Sequence, residues 1–229
     1  MADTTLRAVD VTRTYGSGRT EVHACRAVGL EVAAGELLVI KGPSGSVKTT
    51  LLNLLGGLDR PTSGQVFLDN AELSAMTENQ LVYIRRRRIG YVFQSFGLVP
   101  ILSAAENIDV PLRLLGTRPG VRDERVAELL EMVGMRGHAE QRPYELSGGQ
   151  QQRVAIARAL ATEPDILIAD EPTGQLDLQT GRAVMDLIRD LVHQRGMTAV
   201  VATHDPVLMD VADRVLGLRD GRLAEPAVA

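Results

Sequence analysis

The second half of the chain alternates between two hydrophobic patterns. Helical spacing over 148–161 precedes a short apolar run over 165–170, and helical spacing over 178–194 precedes a second apolar run over 198–204. Apolar, β-branched runs of this length predict buried strands, whereas apolar residues three and four apart predict helices. Strands that alternate with helices predict a parallel sheet covered on both faces. The same reasoning predicts a last helix over 206–212, two short strands over 214–221 and 222–225, and a frayed tail over 226–229.

The first half has a different organisation. Residues 36–42 form an apolar run that ends in glycine, and the helical spacing that follows it stops at Gly56 and Gly57. This order predicts a strand, a loop and a helix. Alternating positions predict further strands, which favour an antiparallel sheet beside that unit, over 6–15, 22–32 and 64–70. Residues 77–142 are predicted to be mostly helical, with the clearest periods over 104–116 and 121–134.

Composition narrows the class of protein. With 229 residues and 45% hydrophobic content, the chain is long enough for a large α/β domain with a subdomain that shares its core. A net charge of -4 gives no general attraction to nucleic acid or to an anionic membrane. The longest apolar runs, at 37–40 and 166–169, are strand-sized, and residues 1–10 lack a signal-peptide pattern. Cys25 is the single cysteine, so no internal disulfide can form, and we expect a soluble or peripheral protein of the reducing cytoplasm.

The segment GPSGSVKTT, residues 42–50, lies between the predicted strand and helix. A glycine-rich turn there points backbone N–H groups and the positive end of the helix at an anion. In such a phosphate loop Lys48 reaches the outer phosphates and the Thr49 hydroxyl binds Mg²⁺. Val47 stands where the pattern requires glycine, so a glycine-rich turn with a chance lysine remains an alternative.

Two further segments have chemistry of this kind. ILIADEP, residues 166–172, predicts a buried strand whose carboxylates, Asp170 and Glu171, emerge at the carboxyl edge of the sheet, where α/β folds bind ligands. The alternative is that these acidic residues only cap the next helix. LSGGQQQRVAIARAL, from Leu146, predicts a second helix N-terminus with a hydroxyl and free amides at Ser147. One phosphate chain hardly needs two such sites in one subunit.

Over essentially its whole length, the sequence resembles the ATP-binding subunits of ABC transporters, with their motifs in the same order. The resemblance implies a P-loop NTPase core over 1–76 and 162–229 with an antiparallel β subdomain, and a helical part over 77–161 that includes the signature helix. Such subunits pair head to tail, so that the signature segment of one copy covers the ATP held by the other. This arrangement accounts for two anion sites in one chain.

The resemblance assigns roles residue by residue. Glu171 corresponds to the catalytic base, His204 to the switch histidine, and Gln94 to the glutamine near Mg²⁺, which Thr49 and Asp170 would also hold. The expected ATP contacts are Tyr15 at the adenine, Asp177 across the dimer, the signature residues Ser147, Gly148, Gly149 and Gln150, and the phosphate-loop residues Gly42, Pro43, Ser44, Gly45, Ser46, Val47, Lys48, Thr49 and Thr50. Gln175 departs from the asparagine or alanine that is usual there. Taken singly, Tyr15 also fits ordinary packing, His204 a helix cap and Gln94 a surface loop.

Valine at position 47 keeps the backbone N–H but adds a branched Cβ. If the glycine-like torsions or contacts exclude a side chain, the strain is roughly 1 to 3 kcal/mol. That strain would weaken ATP binding about 5- to 150-fold. We therefore expect an ATPase of reduced activity, and the alternative is a nucleotide-poor scaffold or regulatory subunit of the same complex.

The segment around the four arginines, 85–88, resembles lipoprotein-releasing and macrolide-export ATPase subunits. This likeness implies a transmembrane permease as partner, export as the direction, and a location on the inner face of the cell membrane. An arginine run is usually a solvated helix face, although proximity to Gln94 favours contact with lipid or with a permease. Relatives that act on DNA or ribosomes have two such domains or a long coiled coil, which this sequence lacks, so no nucleic-acid partner is expected.

Overall fold

The computed structural model describes residues 4–43 and 47–224, and the elements below lie within them. Short 3₁₀ turns at Gly18–Thr20, Leu73–Ala75, Arg136–His138, Pro143–Glu145 and Pro206–Val211 connect some of them. In chain order the strands and helices are β1 (Thr4–Tyr15), β2 (Val22–Ala33), β3 (Leu37–Lys41), α1 (Lys48–Leu55), β4 (Ser63–Leu68), β5 (Ala71–Glu72), α2 (Glu78–Arg87), β6 (Ile89–Val92), α3 (Ala104–Leu114), α4 (Pro119–Met132), α5 (Gly148–Ala159), β7 (Ile166–Asp170), α6 (Leu178–Arg195), β8 (Thr198–Thr203), β9 (Arg214–Arg219) and β10 (Arg222–Ala224).

A six-stranded sheet forms the centre of the fold, in the order β10-β9-β3-β8-β7-β6. All its pairs are parallel except the terminal hairpin of β9 and β10. Successive residues of a strand point to opposite faces, and here they enter two different apolar clusters. Leu37 and Val39 belong to one cluster, whereas Leu38 and Ile40 belong to the other. The sheet is therefore covered on both faces, as its continuous apolar strands predict.

A second sheet is antiparallel and has the order β2-β1-β4-β5. Helix α1 lies between the two sheets, because Leu51 and Leu55 of α1 share an apolar cluster with Val11 of β1 and Ile40 of β3. The other face of the central sheet is covered by α3, α4, α5 and α6, with Ile108 among its fully buried residues. The predicted combination of a mostly parallel sheet, an antiparallel sheet and a helical part is confirmed.

Two details differ from the predicted elements, and a third prediction is not tested. Strand β6 was not predicted, since Ile89–Val92 is short and follows four arginines. Gly90 within it lies so close to Ala159 that a Cβ would collide with that residue's carbonyl oxygen, which explains why glycine is needed in this strand. The predicted helix after β8 is a 3₁₀ turn, Pro206–Val211, rather than an α-helix. The predicted tail over 226–229 lies outside the described residues.

None of the helices among the described residues combines the length and hydropathy that crossing a bilayer requires.

Candidate functional site

The candidate site lies at the carboxyl edge of the central sheet. Strands β3, β8 and β7 are neighbours and run in the same direction, so the residues that follow them meet at one edge. Lys48 follows β3 through the phosphate loop, Asp170 and Glu171 end β7, and His204 follows β8. Four predicted site residues, distant in sequence, are thus assembled by the parallel pairing.

Lys48 is the first residue of α1 and is buried. Its ammonium group donates to the carbonyl oxygens of Gly42 at 2.8 Å and of Pro43 at 3.2 Å, and it pairs with Glu171 Oε1 at 3.2 Å. The lysine is therefore curled back into the phosphate loop, beside the carboxylate predicted to act as base. Thr50 is half-buried in the first turn of α1, whereas the predicted contacts Ser44, Gly45 and Ser46 lie outside the described residues.

Val47 adopts the left-handed conformation, with φ 60° and ψ 24°. This region costs an L-residue roughly 1 to 2 kcal/mol and is a genuine outlier for a β-branched side chain. The side chain is half-buried and packs against the apolar cluster between the two sheets. Glycine adopts the torsions of position 47 without strain. The sequence predicts a strained valine and weaker ATP binding for this case.

Glu171 is buried, also has a positive φ of 46°, and binds a second partner. Its Oε2 lies 2.9 Å from His204 Nδ1, while its other oxygen faces Lys48. The backbone N–H of Glu171 donates to Ala202 of β8 at 2.9 Å, which fixes the turn after β7. The helix cap considered for these acidic residues is wrong, because Asp177 is the residue that caps α6.

Asp170 Oδ2 accepts a 2.6 Å hydrogen bond from the Thr49 hydroxyl. Its other oxygen is buried and has no hydrogen-bond partner among the described residues. Burial raises the pKa of this carboxyl, which the Thr49 hydroxyl opposes. An unsatisfied carboxylate oxygen beside a hydroxyl is a donor set that Mg²⁺ prefers, so the residues present fit that ion.

Gln94 lies two residues beyond β6, next to the turn that follows Glu171. A Cβ at Gly174 would lie 3.3 Å from Gln94 Nε2 and 3.4 Å from Glu171 Cβ. Gly174 therefore leaves room for the glutamine side chain to approach the carboxylates. The structure brings Gln94 to the same edge as Asp170 and Glu171.

Tyr15 ends β1 with its ring 39% exposed. The Arg13 guanidinium lies 4.5 Å from the ring centroid, and the Tyr15 hydroxyl donates to Asp59 at 2.8 Å. Arg13 and Asp59 also form an ion pair at 2.8 Å. The ring is thus held at the surface by neighbouring residues, and its contact with adenine stays a prediction.

The signature segment, residues 147–150, begins α5 with a complete capping box. Ser147 Oγ accepts from the Gln150 N–H at 3.3 Å, and the Ser147 N–H donates to Gln150 Oε1 at 2.8 Å. A Cβ at Gly149 would collide with Thr180 Cγ2, and Thr180 is held by Asp177 at 2.6 Å. A chain of contacts therefore links the predicted cross-dimer aspartate to the signature segment.

The two predicted halves of the ATP site share no polar contact among the described residues of one chain. Among residues 4–43 and 47–224, no hydrogen bond or ion pair joins residues 147–150 to Lys48, Glu171 or His204. One half presents the lysine and carboxylates, and the other presents a capped helix N-terminus.

Comparison with known proteins identifies the family of this chain. Residues 25–174 match the family profile described as ABC transporter. The chain belongs to the ABC transporter family. An uncharacterized ABC transporter ATP-binding protein of Thermotoga maritima is 48% identical over 218 residues, which are 95% of this chain and 93% of that protein. The macrolide export ATP-binding/permease protein MacB of Brucella melitensis is 44% identical over 95% of this chain but only 34% of its own length.

Solved structures agree with the family assignment. The dimeric structure of the ATP-binding cassette MJ0796 bound to ADP and Pi matches with a TM-score of 0.88 and 42% identity, over 95% of this chain and 96% of that one. A protein of the same name from Methanocaldococcus jannaschii is 44% identical over 222 residues, 95% of this chain and 94% of its own. The fold is that of an ABC ATPase cassette.

Some contacts at the site were not predicted from the sequence. Arg158 of α5 donates to the carbonyl oxygens of Phe96, at 3.0 Å, and of Gly97, and burial lowers the pKa of this guanidinium. It thereby ties the loop that follows Gln94 to the signature helix. An arginine within an otherwise apolar helical run is the signal that sequence reasoning left unused.

In the arginine run, Arg85 and Arg88 form ion pairs, whereas Arg86 and Arg87 are exposed.

Proposed function

We propose that this chain is the ATP-binding subunit of an ABC exporter and hydrolyses ATP to ADP and phosphate, at a rate reduced by Val47. The assembly of Lys48, Glu171 and His204 beside Asp170 carries this proposal. A buried lysine, an activating carboxylate and a histidine at one sheet edge are the parts that phosphoryl transfer to water requires.

In the proposed reaction, water attacks the γ-phosphate in line with the leaving oxygen. Glu171 orients the water and accepts its proton, while Lys48 and His204 stabilise the charge that develops on the phosphate. Thr49, Asp170 and Gln94 would hold Mg²⁺, which neutralises phosphate charge when bound. Before nucleotide binds, Glu171 is engaged by both Lys48 and His204. Lys48 must therefore turn from Glu171 to the phosphates, which leaves the carboxylate oxygen available to water.

The second half of the site is proposed to come from another copy, arranged head to tail. Ser147, Gly148, Gly149 and Gln150 of that copy would cover the γ-phosphate, and its Asp177 would cross the interface. The lack of a polar contact between the two halves among the described residues supports this arrangement, as does the dimeric state of the related cassette MJ0796. Tyr15 would stack on the adenine with the ring face that Arg13 leaves open.

A permease is the proposed membrane partner, and export is the proposed direction. A groove of about 300 Å³ is lined in part by Phe93, Pro111 and Leu114, and its lining also includes Arg85, Arg86 and Arg158. Leu114 at the end of α3 is exposed, and so is Ile101 before its start, by 76%. A groove lined by apolar side chains and arginines is suited to a helix of a membrane protein. We infer a peripheral location on the cytoplasmic face of the membrane, with residues 77–161 as the part in contact with the permease.

Val47 supports a second candidate, a scaffold subunit that binds little nucleotide. The strained torsions at position 47 are the observation in its favour, because relief of the strain by moving the loop would displace the phosphates. The two candidates differ in turnover rather than in fold.

The decisive experiment traps the proposed dimer. A chain carrying Val47→Gly and Glu171→Gln should dimerise in saturating ATP and Mg²⁺, detected by light scattering coupled to size exclusion. A control with Val47→Gly and Glu124→Gln, which changes an exposed glutamate of α4, should hydrolyse ATP and not accumulate as a dimer. A Glu171→Gln chain that stays monomeric, with and without its permease, would contradict the proposed function.

A comparison of turnover then separates the two candidates. Phosphate release by the chain with Val47 should be measurable but lower than that of the Val47→Gly form. Absence of release from the valine form, with full release from the glycine form, would favour the scaffold.

A further inference from the structure

The side chain of Gln150 has a partner at each end of its amide. Oε1 accepts from the Ser147 N–H at 2.8 Å, and Nε2 lies 3.2 Å from His138 Nε2. An amide nitrogen can only donate, so His138 Nε2 must accept and carry no proton. The ring proton of neutral His138 then lies on Nδ1, which faces Gln141 Oε1 at 2.6 Å. Ser147, Gln150, His138 and Gln141 thus form a chain in which each group donates to the next.

The segment that holds His138 is itself fixed. Its 3₁₀ turn, Arg136–His138, is followed by two backbone contacts with the start of α3: the Ala104 N–H donates to Gln141 O at 2.8 Å and the Ala105 N–H to Ala139 O at 2.9 Å. His138 is half-buried in this position. The imidazole is therefore a firm support for the Gln150 amide rather than a loose surface group.

We propose that His138 is a positioning residue for the signature segment, acting through Gln150 on Ser147. The effect on ATP binding rests on the proposed function, whereas the support of Gln150 by His138 does not depend on it. His138 accepts a hydrogen bond from Nε2 of Gln150 and so fixes the amide. Its Oε1 is thereby kept in position to accept from the Ser147 N–H. The rest of α5 is anchored separately by Val154 and Ile156 in the apolar core. Loss of the histidine should therefore loosen the start of the helix and leave its body in place.

Two amide substitutions at position 138 separate the two contacts of the ring. His138→Gln places an amide oxygen near the position of Nε2, where it can accept from Gln150. His138→Asn places its amide near the position of Nδ1, where it can donate to Gln141 but cannot reach Gln150. The two variants are alike in chemistry, and each keeps a different one of the two contacts, so only His138→Asn removes the contact with Gln150 that the proposal requires.

The first test follows amide exchange in the nucleotide-free protein by NMR. In His138→Asn, the Ser147 N–H should exchange about three- to tenfold faster, the factor that corresponds to one neutral hydrogen bond. In His138→Gln it should exchange within about twofold of the parent rate, and amides in the middle of α5 should not change in either variant. Equal exchange of Ser147 in the parent and in His138→Asn would overturn the proposal, and so would equal acceleration in both variants.

The second test measures the consequence for the dimer, in the chain with Val47→Gly and Glu171→Gln. His138→Asn should weaken ATP-driven dimerisation about three- to tenfold, while affinity of the monomer for ATP stays unchanged, since Tyr15 and Lys48 lie in the other half of the site. His138→Gln should restore dimerisation. Unchanged dimerisation in His138→Asn would overturn the effect on ATP binding. A parent that does not dimerise would contradict the proposed function, and the exchange result would still decide the role of His138.

Discussion

The two helix N-termini of the candidate site begin in opposite ways. Helix α5 begins at Ser147, in extended torsions, with a side-chain cap in both directions. Helix α1 begins after Val47, in left-handed torsions and without a side-chain cap. Both are candidate anion sites by their dipoles, and at α5 the side chains of the capping box satisfy the N–H groups of Ser147 and Gln150. The start of α5 is held in shape by its own side chains, whereas the start of α1 follows a residue in strained torsions.

This difference agrees with the different roles proposed for the phosphate loop and the signature segment. A phosphate loop must keep its amides open, because the phosphates are the groups that satisfy them. A signature segment approaches a nucleotide that another copy already holds, so it benefits from a fixed shape. Substitutions at the start of α1 should therefore mainly change the affinity for ligand. Substitutions at the start of α5 should mainly change the stability of the fold.

The largest effect is expected from Lys48→Met. Methionine keeps the buried stem but removes the charge that binds phosphate and that pairs with Glu171. ATP affinity should fall at least about a hundredfold, since charge-assisted hydrogen bonds are worth roughly 1.5–3 kcal/mol each. Titration with a fluorescent ATP analogue in the Val47→Gly background measures it. The control is Lys41→Met, at the exposed end of β3, and a similar loss there would mean that general charge, not the position of Lys48, sets affinity.

Val47→Gly should raise ATP affinity about 5- to 150-fold, because glycine adopts φ 60° without strain. The free energy of unfolding should change by less than about 1 kcal/mol. Relief of strain is offset by lost packing of the half-buried side chain and by the greater entropy of unfolded glycine. Calorimetric ATP titration and thermal unfolding test the two parts.

Val47→Ala is the matched control for this change. Alanine removes the branch at Cβ but keeps the Cβ itself, which is the source of left-handed strain. Its ATP affinity should therefore lie between those of the valine and glycine forms. Equal affinities in all three forms would show that the strain at position 47 is not transmitted to the nucleotide.

The two helix starts also differ in how much of their geometry can be predicted from the sequence. Strand ends adjacent in a parallel sheet must meet, so the proximity of Asp170, Glu171 and His204 was predictable from the alternating pattern. The capping box of Ser147 and Gln150 follows from their spacing. The left-handed torsions of Val47 conflict with its residue type, and only the tertiary structure reveals them. The support of Gln150 by His138 depends on how a 3₁₀ turn docks on α3, for which the single sequence has no periodic signal.

Gly149→Ala should disturb the capped start more than any polar change there. Its Cβ would collide with Thr180 Cγ2, and overpacking of this kind costs roughly 1–3 kcal/mol. Thermal unfolding should show this loss, and ATP-driven dimerisation should weaken with it. Adding Thr180→Ser removes the colliding methyl group and keeps the hydroxyl that donates to Asp177. The double variant should recover most of the stability, and no recovery would mean that glycine is needed for its backbone rather than for contact with α6.

We expect the smallest of these effects at Ser147. Substitutions there distinguish the role of the hydroxyl as a helix cap from its proposed contact with the ligand. Ser147→Ala removes the side-chain cap and should lower the free energy of unfolding by about 1 kcal/mol. Ser147→Asn offers an amide oxygen as an equally good cap, so its stability should match that of the parent. Both variants lack the hydroxyl proposed to contact the γ-phosphate of the other copy, so both should weaken ATP-driven dimerisation in the Val47→Gly, Glu171→Gln chain. If the asparagine variant recovered dimerisation along with stability, the hydroxyl would matter only as a cap, and the contact with phosphate would belong to the backbone amides alone.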